Sequence, residues 1–82
     1  MMTAAQIRAA RTLVGLSQAD IAKATGLSVP TIKRVESDRN LSVSEAAFAA
    51  VIAALEKAGI IFVVENGDGP GVRLRKQQPK RK

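Results

Sequence analysis

Apolar positions in the first half of the chain recur at helical rather than strand spacing. Ile7, Ala10, Leu13 and Val14 fall three, six and seven residues along from the first, and predict one stripe of an amphipathic helix. Thr3 opens that helix with Gln6 as a Thr-x-x-Gln capping box, and Gly15-Leu16 closes it. A second helix is predicted from Gln18 to Thr25. It is entered through Ser17, with Asp20 three residues on in an arrangement close to a capping box. Gly26 can take the left-handed conformation that ends a helix without a Cβ penalty. Ser28 is set to cap a third helix over Val29–Ser37, and Pro30 falls in its first turn, where a missing N–H is harmless. Ala22 is small where two helices must approach, and Ile21, Leu27, Ile32 and Val35 supply the contacts that lock them together. This order of small, Gly and β-branched residues predicts two short helices joined by a tight turn.

Residues 38–41 read as a polar loop, and Ser42-x-x-Glu45 predicts a further capping box at the start of a fourth helix. Phe48, Val51, Ile52 and Leu55 give that helix an apolar face, and Lys57 near its end suits the helix dipole. After Gly59 the period changes. Ile60 to Val64 is a β-branched run too short for another helix, residues 66–71 are dense in turn formers, and Val72 to Arg75 alternates as a second strand. A lone hairpin is marginal in water, so it must cover its own helices or pair with a second chain, and a dimer interface is the favoured expectation.

Composition narrows the chemistry. The chain of 82 residues has no Cys and no His, which excludes disulfides, thiolate or histidine metal sites and a histidine base. Tyr and Trp are also absent, and no paired-carboxylate or phosphate-loop spacing occurs. The Gly-rich run 66–71 precedes neither Lys-Ser/Thr nor a helix, so it is a turn. The expectation is a non-enzyme without cofactor or metal. The first residues lack a secretory pattern, and no apolar run approaches the roughly 20 residues needed to span a bilayer, so a soluble, cytoplasmic protein is expected. A core this small favours recruiting a second subunit. The net charge of +6 belongs wholly to the last ten residues, which hold six basic and no acidic groups. Of the rest, residues 1–40 hold six basic and three acidic groups and 41–72 hold one and four, so only the first half is mildly basic.

The residues Arg11, Gly15-Leu16-Ser17-Gln18, Ile21-Ala22, Thr25-Gly26-Leu27-Ser28, Thr31-Ile32 and Arg34-Val35-Glu36 together resemble the Cro/CI-type (XRE) helix-turn-helix regulators of bacteria and phage. The resemblance covers roughly residues 5–58 without insertion. It implies a mainly α, four- to five-helix lambda-repressor-like domain that binds double-stranded DNA through the major groove. The expected organisation is a DNA-binding domain over 1–59, a β-hairpin or strand extension over 60–75 as dimerisation element, and a disordered basic tail over 76–82.

A major groove about 12 Å wide admits one helix, whose first turn reaches base edges. With Ile32 and Val35 turned inward, Val29, Pro30, Thr31, Lys33 and Arg34 are left for the groove. Arg34 suits a bidentate pair with guanine, Lys33 a guanine or a phosphate, and Thr31 either a phosphate or a base. Val29 and Pro30 offer apolar contact only, most simply to thymine methyl groups; the family often has polar base readers there, and this sequence departs from it. The resemblance implies that Gln18 contacts the DNA backbone, with Ser28 at the head of the third helix in the same set. Arg39 and Asn40, just beyond that helix, are the next phosphate contacts expected. The resemblance also implies an internal ion pair between Arg11 and Glu36. The basic tail adds non-specific phosphate contacts or solubility alone. The leading expectation is a homodimeric transcriptional regulator, more simply a repressor, on an inverted-repeat operator, associated with the nucleoid when bound. The alternative is an antitoxin or anti-regulator of the same fold that works through a protein partner.

Overall fold

The computed structural model describes residues 3–37, 39, 42–63 and 67–75. Four helices, α1 (Ala4–Val14), α2 (Gln18–Thr25), α3 (Val29–Val35) and α4 (Glu45–Lys57), are followed by strands β1 (Ile60–Val63) and β2 (Gly71–Leu74). The fold is mainly helical with a C-terminal antiparallel hairpin, as the pattern predicts. Ile7 and Ala10 of α1, Ile21 and Ala22 of α2, Ile32 and Val35 of α3, Val51 and Leu55 of α4, and Ile60 of β1 form one buried core.

Local chemistry explains the boundaries. Thr3 accepts the Gln6 N–H while the Gln6 side chain accepts the Thr3 N–H, and Ser17 with Asp20 forms the same reciprocal box on α2. Gly15 and Gly26 end these helices at φ 74° and 78°, in the left-handed region. Three expectations need correction. Leu13 is 46 % exposed, because the buried stripe runs through Ile7, Ala10 and Val14 and Leu13 lies roughly 100° round the helix from Val14. Helix α4 is capped by Ser44, whose hydroxyl accepts the Ala47 N–H, and not by Ser42 with Glu45. Starting there puts Val43 and Phe48 at the two staple positions, and both pack against the core. Helix α3 stops at Val35, two residues before the expected Ser37, with Glu36 as its C-cap. Its backbone carbonyl accepts from Arg8 Nη1 of α1.

In the hairpin Ile60 pairs with Leu74, Ile61 with Arg73, Phe62 with Val72 and Val63 with Gly71. Val64, expected to end β1, lies outside the described residues, as do 38, 40–41 and the tail from 76. Strand β2 begins one residue before the expected Val72, and the Arg75 N–H continues the ladder by donating to Gly59 O at 2.6 Å. The hairpin lies on its own helices: Ile60 is fully buried, with Phe62 and Val72 packed against the core. Gln6 clips it in place. This buried side chain donates through Nε2 to Val63 O at 3.2 Å and Gly71 O at 2.9 Å, while its Oε1 still serves the Thr3 cap. Among the described residues, no helix is long and apolar enough to cross a membrane.

Candidate nucleic-acid interface

The unit from Ser17 to Glu36 presents α3 as a short, rigidly seated rod. Ile32 and Val35 fix its inner face in the core, Val29 packs half-buried against the same core, and Gly26 turns the chain between α2 and α3. Ser28 caps α3 by accepting the Thr31 N–H at 3.2 Å. Pro30 stands in the first turn, where the absent N–H loses no helical bond. The outer face carries Pro30, Lys33 and Arg34, all exposed. Lys33 and Arg34 have no acidic partner among the described residues, so both cations are available to an outside anion.

Behind α3 lies a hub built on Glu36, whose side chain is only 3 % exposed. Arg11 grips it in a fork, Nε to Oε2 at 2.6 Å and Nη2 to Oε1 at 3.1 Å, and Gln18 Nε2 donates to Oε1 at 3.1 Å. Arg11 also donates to Leu16 O at 3.0 Å. With the Arg8 bond to the Glu36 carbonyl, α1 and α2 together hold the end of α3. A buried carboxylate offers about four acceptor sites and is costly unless they are filled. Here three donors reach the carboxylate and both its oxygens are engaged, and among the described residues no buried side-chain polar atom is left without a partner. The ion pair implied by resemblance is therefore present. The Gln18 donor has no sequence signal beyond the need of a buried acid for more than one donor, and the Arg8 bond to the Glu36 backbone carbonyl has none.

At the same end of α2, hydrogen bonds from the Ser17 backbone and hydroxyl hold the Asp20 carboxyl below its ordinary value. That charge sits in the first turn of α2, where the helix dipole favours an anion.

Residues 7–58 match a family model described as helix-turn-helix. The chain belongs to the Cro/CI-type (XRE) helix-turn-helix family. This XRE-type protein is thus a DNA-binding regulator. No curated protein matches it significantly.

Of the nine residues that the sequence assigns to DNA, five cluster at α3 of this XRE domain: Val29, Pro30, Thr31, Lys33 and Arg34. Ser28 is its cap. Gln18 lies at the head of α2, half-buried, with its amide turned to Glu36. Arg39 is exposed beyond α3, its N–H donating to Ser37 Oγ at 3.1 Å. Asn40 is outside the described residues.

Proposed function

We propose that this XRE-type regulator acts as a homodimeric, sequence-specific repressor that places α3 in the major groove of an inverted-repeat operator. The observation carrying this reading is α3 itself: Ile32 and Val35 hold it in the core, Glu36 is tied to α1 and α2, and Lys33 and Arg34 are exposed with no acidic partner among the described residues. A helix fixed at its back and charged at its front can read bases without first being ordered. In this reading Arg34 pairs with a guanine, Lys33 and Thr31 contact a base or phosphate, Ser28 and Arg39 contact phosphates, and Gln18 adds a backbone contact. The hairpin is the dimerisation element, and two recognition helices related by a two-fold meet successive major grooves about 34 Å apart. Exposed Arg73 and Arg75 with the tail beyond them add a salt-sensitive, sequence-independent component.

Selection of bound DNA from a random pool with purified protein, repeated at two salt concentrations, tests the proposal. Enrichment of a palindrome at both salts is expected. Retention of DNA without any enriched sequence, collapsing as salt rises, would refute it.

A further inference from the structure

We propose that Pro30 and Thr31 recognise the C5-methyl group of a pyrimidine in the major groove, the group shared by thymine and 5-methylcytosine. The inference rests on the reading of α3 as the groove-entering helix, and says what that helix selects.

The polar groups around the first turn of α3 are turned inward or toward each other. Gln18 Nε2 donates to Glu36. The Ser28 and Thr31 hydroxyls lie 2.9 Å apart, and Ser28 Oγ also accepts the Thr31 N–H. Thr31 Oγ1 is thereby directed back toward the cap, and its other branch is a methyl group. Pro30 is exposed, has no N–H and offers only ring methylenes. Val29 is half-buried against the core. Pro30 and the Thr31 methyl therefore make an apolar contact where a polar reader would form hydrogen bonds.

Most major-groove features are hydrogen-bonding groups: N7 and O6 of guanine, N7 and the amino group of adenine, the amino group of cytosine and O4 of thymine. Pressed against proline methylenes, each loses water without gaining a partner. The C5-methyl group is the one feature that gains from apolar contact. Discrimination follows the methyl rather than the base pair: thymine and 5-methylcytosine are accepted, and uracil and unmethylated cytosine are penalised. Arg34 lies four residues further on, one turn along the same face, so the methyl-bearing base neighbours the guanine that it reads.

The test uses the full chain and the operator recovered by random selection. Each thymine of a half-site is replaced in turn by deoxyuridine, and the responsive position is then filled with cytosine or 5-methylcytosine opposite guanine. At that position deoxyuridine is expected to weaken binding about fourfold, the equivalent of one buried methyl group. Cytosine is expected to bind more weakly than 5-methylcytosine by a similar factor, which separates the methyl from its two sources. The variant P30S/T31S keeps the capping hydroxyl and removes both apolar contacts; it should bind the thymine and deoxyuridine operators equally. The proposal is overturned if deoxyuridine is tolerated at every thymine of an operator that still binds specifically, with the reading of α3 left standing. It is also overturned if P30S/T31S retains the deoxyuridine penalty. Failure to enrich any sequence would overturn this proposal and that reading together.

Discussion

Removal of Arg11 is the most informative single lesion, because it strands a charge with almost no access to water. The Glu36 side chain is 3 % exposed, and without the guanidinium fork its carboxylate keeps, among the described residues, only the Gln18 amide. Breaking a buried pair from one side costs about 3 kcal/mol, much of it the penalty of the unpaired survivor. For a domain of this length, total stability is about 4–12 kcal/mol, so Arg11→Ala removes a large part of it. Glu36→Ala is milder, about 2 kcal/mol, because Arg11 is 21 % exposed and keeps its bond to Leu16 O. The double variant has neither a stranded charge nor a pair to lose. It should therefore lie near about 3 kcal/mol, well short of the sum of the single losses. Urea unfolding followed by circular dichroism on the four proteins, at one pH and salt, gives the coupling directly. A coupling of about 2 kcal/mol is expected. Losses that add to within about 0.5 kcal/mol would refute the idea that the two side chains act as one buried unit.

Other expectations follow from contacts already described. Gln6→Glu keeps an acceptor for the Thr3 N–H but cannot donate to Val63 O and Gly71 O, so it should cost about 1–3 kcal/mol and speed amide exchange in β1 and β2 before the helices. At Gly26 a Cβ meets nothing within 4 Å, so Gly26→Ala should cost only the left-handed strain, about 1–2 kcal/mol by urea titration; a much larger loss would point to a packing clash. The Asp20 carboxyl is held below its ordinary value by Ser17, so its contribution is fully present above that value and is lost as pH falls through the depressed native one. The stability gap between the wild type and Asp20→Asn should therefore close on acidification, and a gap that widened would reverse the sign. For DNA, Arg34→Ala should cost about 1–3 kcal/mol and relax specificity at one base pair; if Lys33 meets a phosphate, Lys33→Ala should weaken all sequences alike and lower the salt slope by about 1.

The helical half was legible because its signals are local. Thr3 with Gln6, Ser17 with Asp20, and Ser28 before Pro30 are short-range pairings, and each occupies the cap expected of it. Errors arose where two local signals competed or a distant contact decided. Ser42-x-x-Glu45 satisfies the capping pattern, yet Ser44 wins because Val43 and Phe48 then reach the core. Leu13 fits a stripe by spacing but lies at its margin. The end of α3 depends on Arg8, 28 residues from the carbonyl it engages, and no periodicity marks such a contact. The assignment of residues to DNA rests on the resemblance to a family and, for Val29, Pro30, Thr31, Lys33 and Arg34, on their placement on one helix. That Thr31 and Ser28 spend their hydroxyls on each other, or that Gln18 leans on Glu36, needed the three-dimensional arrangement.

The clip made by Gln6 has a kinetic meaning. It joins residues 65 apart in sequence, so the chain must close a very long loop before the clip can form, whereas the caps of α1, α2 and α3 close over three residues. Loop entropy therefore places hairpin docking late in folding, on a helical unit already assembled. On the reverse path the hairpin is the piece released first, drawing Ile60 out of the core while the caps still hold.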